Sequence, residues 1–183
     1  METQFSRQSF TDCDFSGADL SDLIVTGARF EGCKLTGARL NGSEFHSCAF
    51  LRCEFRLASL FGTLFESCKM TGSSLVGSEA SCMIISGGDW SYTDLREISF
   101  GRLELAGVNF EGAQLNHCQM ARSSFRRCNF NHAWMTGVNL EGSDIRGSTL
   151  EGVDLKGIRF RNTKIDLEQA VALAAALGAR YTP

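Results

Sequence analysis

The sequence predicts an all-β chain wound as a parallel β-solenoid and closed by a short C-terminal α-helix. Three observations carry this prediction. Counting in fives from Phe5 to Ile165 gives 33 positions, every one apolar and without a slip of register, and 13 of the 14 phenylalanines fall on them. Small side chains stand two residues before these positions, as in Ala18, Ala28, Cys33, Ala38, Ser43, Cys48, Cys53 and Ala58, and 16 of the 19 glycines stand two residues after. Beyond Ile165 the pattern gives way to DLEQAVALAAALGARYTP.

Neither a helix nor a flat strand has a period of five. In extended backbone, residues two apart face the same side, so the small residue and the large apolar one after it both point inward and build one short side. An odd-numbered unit would throw the next apolar residue outward unless the chain turned a corner, and a glycine just past the centre suits a tight corner. Coils of such sides stack at about 4.8 Å and pile like side chains into internal ladders. A length of 183 residues, with 43% hydrophobic and 21% charged, fits one folded unit of this kind. Residues 80–105 are less ideal. Met83, Ile98 and Leu103 are bulky for the small slot, and with Gly88 and Ala80 they predict a place where the coil swells, bends or loses strand regularity.

After Ile165, Asp166 is placed to cap a helix of about a dozen residues with Glu168 and Gln169 in its first turn. Leu167, Val171, Ala174 and Leu177, or alternatively Ala170, Leu173 and Leu177, form an apolar stripe that should bury one face. The helix must at least cover the last coil, whose open strand edge would otherwise invite aggregation. The chain thus divides into a solenoid, residues 1–165, and a capping helix with its tail, residues 166–183.

The chemistry of the side chains excludes more than it suggests. Cys13, Cys33, Cys48, Cys53, Cys68, Cys118 and Cys128 all occupy the small inward slot, where cysteine serves as a small hydrophobe. Vertical neighbours such as Cys33 and Cys53 would hold parallel side chains, a poor arrangement for a disulfide. His46, His117 and His132 fall on outward or corner positions, away from these thiols, so no metal site and no cofactor are expected. Asp14, Asp19, Asp144 and Asp154 stand in the outward slot and read as solvated surface, not as paired acids. No G-x-S-x-G, HExxH or phosphate-loop pattern occurs, and a filled interior leaves no pocket for a small-molecule substrate, so no enzyme is expected. No apolar run approaches the roughly 18 residues that span a bilayer, and METQFSRQSFTDCDF lacks the basic and apolar regions of a signal peptide. The expectation is a cytoplasmic protein without a membrane contact. A net charge of −3 predicts no polyionic partner by itself.

The unit of a small residue, Asp or Asn, Leu or Phe, a polar residue and Gly, seen in Ala18-Asp19-Leu20-Ser21 and in Val138-Asn139-Leu140-Glu141-Gly142, resembles the pentapeptide-repeat proteins. The resemblance implies a right-handed quadrilateral β-helix with four sides per turn and about 20 residues per coil. Residues 3–165 would then make about eight coils, a rod of about 39 Å at the strand spacing. Qnr proteins of this family carry loops inserted between coils. This sequence carries none and is more similar to the loop-less MfpA branch. The resemblance also implies a twofold dimer through the C-terminal element, which would put Leu167, Val171, Leu173, Ala174 and Leu177 at the interface. The function it implies is DNA mimicry: binding DNA gyrase or topoisomerase IV in place of DNA, and protecting it from quinolones or a natural gyrase poison, without binding nucleic acid itself. The alternative is a structural or regulatory scaffold for an unrelated protein partner, because a fold does not fix a function.

Sorting charges on a 20-residue coil separates the two signs. The side of Trp90, Phe110, Phe130 and Leu150 carries Asp89, Glu111 and Glu151 with no Lys or Arg between Asp89 and Gly152, an acidic strip suited to a basic saddle. The side of Phe100, Met120, Leu140 and Phe160 carries Arg102, Arg122, Arg159 and Arg161. Ile24, Leu64, Ile84 and Trp134 in outward slots, with Leu57 and Phe61, suggest an apolar contact patch.

Overall fold

The structure, a computed structural model, describes residues 5–100, 103–180 and 182. Every backbone pairing among them joins residues twenty apart, from Asp14 with Lys34 to Asp144 with Lys164. The coil is therefore twenty residues with four five-residue sides, and residues 5–164 make eight coils. Seven strands of three residues rise from this register: β1 (Ser9–Thr11), β2 (Ile24–Thr26), β3 (Arg29–Glu31), β4 (Glu44–His46), β5 (Ala49–Leu51), β6 (Leu64–Glu66) and β7 (Ile84–Ser86). They form two parallel sheets, β1-β3-β5 and β2-β4-β6-β7. Among the described residues no insertion interrupts the register.

The corner is what an odd repeat demands, and it falls two residues after each central apolar residue. Fifteen non-glycine residues there, among them Arg7, Asp12, Tyr92 and His132, hold φ between 51° and 66°, and the corner glycines hold φ between 62° and 76°; Gly157, inside a short 3₁₀ turn (Leu155–Gly157), is the exception among the described corners. Left-handed backbone costs an L-residue roughly 1 kcal/mol, so the stacking on either side of the corner must outweigh it.

Corners come in two forms. In the tight form the amide three residues past the central position donates back to it, as Ala18 N does to Phe15 O (3.0 Å) and Ala113 N to Phe110 O (3.0 Å). In the open form a side chain from the next coil completes the corner. The amides of Leu23, Cys53, Leu103 and Cys128 donate to the hydroxyls of Ser43, Ser73, Ser123 and Ser148, and these donate onward to the carbonyls of Leu20, Phe50, Phe100 and Phe125. Thiols make the same onward bond: Cys33 Sγ to Phe10 O (3.4 Å), Cys48 Sγ to Val25 O (3.4 Å), Cys68 Sγ to Phe45 O (3.1 Å) and Cys128 Sγ to Leu105 O (2.8 Å). All seven strands centre on open corners, whereas a tight corner leaves a single paired residue on its side. The inward cysteines are thus donors as well as fillers, which their reading as small hydrophobes omits. Burial pushes the thiols of Cys53 and Cys118 up to about 12 and that of Cys128 up to about 11, so they stay protonated.

Inside, rings stack from coil to coil. Phe10, Phe30 and Phe50 lie nearly parallel with centroids 5.0 and 4.7 Å apart, and Phe110 stacks on Phe130 at 5.4 Å. Trp90 interrupts the column, fully buried and edge-on to Phe65 at 5.7 Å. Gly88, in the slot before it, lies against the Cys68 backbone, and Met83 and Ile98 are buried in slots that elsewhere hold small residues. The irregular segment keeps its twenty-residue register, and named strands end with β7. Gly101 and Arg102 lie outside the described residues.

The chain closes with α1 (Leu167–Ala176), ten residues where about a dozen were expected. Asp166 and Gln169 form a capping box. Their side chains also finish the last coil: Asp166 Oδ2 accepts from Gly147 N (2.7 Å), and Gln169 Nε2 donates to Ile145 O (2.6 Å) and Ser148 O (2.8 Å). No described helix is long and apolar enough to cross a membrane.

Two stability predictions follow from these contacts. Phe50→Ala or Phe130→Ala opens a cavity in a ring column and should cost about 3–5 kcal/mol in denaturant unfolding; a loss below about 1 kcal/mol would contradict an interior position. An added Cβ at Gly88 would lie 2.2 Å from the Cys68 carbonyl oxygen, whereas at the corner Gly37 it meets nothing within 4 Å. Gly88→Ala should therefore destabilise by about 3 kcal/mol and Gly37→Ala by only about 1 kcal/mol, and equal losses would contradict the close approach.

Candidate partner-binding surfaces

The three acids of the predicted strip share one side of the rod. Asp89 is half-buried and its carboxylate accepts from Asn109 Nδ2 (2.9 Å), Ser91 N (3.1 Å) and Thr71 Oγ1 (3.3 Å). Glu111, also half-buried, accepts from Asn129 Nδ2 (3.3 Å). Glu151 is exposed, and its amide donates to Asn131 Oδ1 (3.0 Å). Thr149 Oγ1 donates to Asn129 Oδ1 (3.0 Å), so the acids lie along a ladder of side-chain amides.

None of the three joins an ion pair among the described residues, whereas many acids elsewhere do. Asp94 pairs with Arg96 (2.8 Å), Asp144 with Arg146 (2.6 Å) and Asp19 with Arg39 (2.7 Å), and Glu31 lies between Arg29 and Arg52. Hydrogen bonds from Arg39 and Arg146 hold Asp19 and Asp144 down to about 2. These acids present little net charge outward, while those of the strip do.

The strip has a boundary the sequence reading did not draw. Lys69 is joined to Asp89 in the neighbouring coil by a backbone bridge, and Arg29 and Arg52 stand lower on the same side. The acidic run is thus confined to the C-terminal half of this side, while toward the N-terminal half both signs occur, with Asp12 and Glu31 among Arg29, Arg52 and Lys69. On the opposite side Arg122, Arg159 and Arg161 are exposed, with Arg161 3.8 Å from Glu141; Arg102 lies outside the described residues.

The predicted apolar patch divides in two. Leu64 and Ile84 are paired residues of β6 and β7, with Phe61 just before Leu64 in the chain, while Ile24 is separated from Leu64 by Glu44. Trp134 belongs to another side, above Gln114 and Asp94. On α1, Leu167 and Val171 are exposed and Ala174 is half-buried, and Leu177, the cap residue just after the helix, is exposed too. Leu173 turns toward its own last coil beside Leu155, Ile158 and Phe160, as does Ala176. The stripe that faces the last coil is therefore buried Gln169 with half-buried Leu173 and Ala176, and the polar member at its head hid it from the sequence pattern.

His46 sits between Glu66 (2.7 Å) and Glu44 (3.1 Å), whose carboxylates raise its pKa. Among the described residues no group of three or more His, Cys, Asp or Glu is placed to hold a metal ion.

This geometry agrees with comparisons to known proteins. The sequence matches the family description "Pentapeptide repeat region" over residues 3–80 and "Pentapeptide repeats (8 copies)" over residues 104–142 and 123–162. None of the curated proteins compared matches it. Among solved structures, full-length QnrB1, a plasmid-mediated fluoroquinolone resistance protein, is 26% identical with a TM-score of 0.85, covering 94% of this chain and 89% of that one. A trypsin-treated QnrB1 variant gives 26% identity and a TM-score of 0.84 over 97% of this chain and 89% of that one. With the twenty-residue coil, the four sides and the two family matches in agreement, the chain belongs to the pentapeptide-repeat family.

Proposed function

We propose that this protein binds DNA gyrase or topoisomerase IV as a DNA mimic and protects it from quinolones or a natural gyrase poison. The observation that carries the reading is the near full-length likeness to QnrB1, a fluoroquinolone resistance protein. The unpaired acidic strip supports it, because a row of uncompensated carboxylates fits a basic DNA-binding saddle. The mechanism is occupation: the rod lies where DNA would lie, in the cytoplasm, and needs no cofactor, nucleic acid, small-molecule substrate or catalytic group. With no loop between coils, the contact falls to the sides and corners of the rod.

Dimerisation belongs to the same proposal. Leu167 and Val171 on α1 and Leu177 at its C-terminal cap stand exposed with Ala174 beside them, a face that a second copy would cover. Two rods joined there would measure about 80 Å, or roughly 23 base pairs at 3.4 Å each, with their acidic halves adjacent at the centre. Leu167→Asp with Val171→Asp should yield a monomer in light scattering with the fold intact, since neither substitution touches the last coil as one at Leu173 would. A monomeric parent would overturn the dimer.

The functional test neutralises the strip without breaking its amide ladder, because Asn and Gln retain an acceptor oxygen. Asp89→Asn, Glu111→Gln and Glu151→Gln combined should weaken gyrase binding about tenfold and reduce protection in a supercoiling assay containing a quinolone, more than reversal of Arg122, Arg159 and Arg161 does. Unchanged binding by the neutralised variant would exclude mimicry through this strip. A parent that binds no type II topoisomerase would favour the scaffold reading, for which the apolar cluster of Phe61, Leu64 and Ile84, away from the acids, is the candidate contact.

A further inference from the structure

The repeat puts aromatic rings inside, and among the described residues only Phe61, Tyr92 and Trp134 are aromatic and exposed. Two of these three, Tyr92 at 62% and Trp134 at 66%, flank one edge of the rod. That edge divides the acidic side from the neighbouring side of Leu95, Leu115 and Met135. Tyr92 is the corner residue after Trp90, and its ring extends across Gly112 in the next coil, where an added Cβ would lie 2.5 Å from its Cε1. The ring is thereby set beside the position of Glu111. His132, two coils further along the same corner, extends across Gly152 in the same way, beside the position of Glu151. Trp134 follows His132 on the adjoining side, about 10 Å along the axis from the level of Asp94.

Charge density shows why these rings matter. From Asp89 to Glu151 the strip spans about three coils, or about 15 Å, with three carboxylates, whereas duplex DNA presents roughly nine phosphates over that length. Carboxylates alone make a sparse imitation. Aromatic faces also attract cations, Trp most strongly, and arginine stacks on them. Neither ring is demanded by the fold, because the same corner column elsewhere holds Asp12, Arg52 and glycines, and the outward column of Trp134 holds Lys34, Ser74 and Gln114.

We propose that Tyr92 and Trp134 are the anchor residues of the partner-binding surface, their ring faces receiving arginine and lysine side chains from the basic saddle while Asp89, Glu111 and Glu151 receive others alongside. This deepens the topoisomerase reading and rests on it. Buried aromatic anchors beside charged groups dominate many interfaces, and here they supply acceptors for cations that three carboxylates leave unmatched.

The test uses the full chain and purified gyrase. Tyr92→Ala with Trp134→Ala should weaken binding at least tenfold, with circular dichroism and thermal unfolding unchanged because both side chains are exposed, while Phe61→Ser on the far side leaves binding within twofold. Trp134→Phe should bind better than Trp134→Leu, since only the first keeps a π face. Binding by the double alanine variant within twofold of the parent would overturn the anchors and leave the topoisomerase reading standing. Equal binding by the Phe and Leu variants would overturn the cation–π contact. A parent that binds no type II topoisomerase removes the reading and the anchors together.

Discussion

The left-handed corner is the constraint from which the rest of the molecule follows. A five-residue unit alternates its side chains correctly along one side and wrongly into the next unless the chain turns, and the turn requires positive φ at one fixed position. Arg7, Leu57, Tyr92 and His132 accept that strain as the glycines do, which shows that the position imposes the conformation and glycine merely accommodates it cheaply. Once every corner sits at the same place, each coil repeats after twenty residues and its amides meet the carbonyls of the neighbouring coil.

Register in turn couples residues that the sequence holds far apart. A bulky corner residue projects toward the next coil, so Tyr92 is opposite Gly112 and His132 opposite Gly152. A small inward hydroxyl or thiol completes the corner of the preceding coil, as Ser123 does for Phe100. These dependencies act along the rod between neighbouring coils, in keeping with the nearest-neighbour energetics of solenoids.

The ladder and the helix start at Asp166 were legible because period, slot and cap are local patterns, whereas four sides and a coil of about twenty residues came from the family resemblance and not from the period. The tight and open corners were not, since whether Leu23 N bonds Leu20 O or Ser43 Oγ depends on a residue twenty positions on. Gln169 escaped for a related reason: a polar residue in the helix's first turn reads as exposed until the last coil's unpaired carbonyls are seen beneath it. The strip was legible as a row of charges, but not its coupling to Asn109, Asn129 and Asn131. Nor was its boundary at Lys69 apparent until the whole side was followed toward the N-terminal end.

A filled solenoid also separates stability from recognition. The inward slots of Phe50, Trp90 and Phe130 have no exposure to a partner, and the outward slots contribute little to the core. Surface chemistry can therefore vary along a side without disturbing the register, and one side can pass from Arg29 and Lys69 to Asp89 and Glu151 within a single unbroken ladder. The same separation explains why large aromatic residues at exposed places are informative here. In a globular protein an exposed Trp often completes a partly covered cluster, but in this repeat the core is built from the positions in the fives and the slot two residues before them. Tyr92 and Trp134 lie outside that accounting, so their exposure has to be explained by what the surface meets.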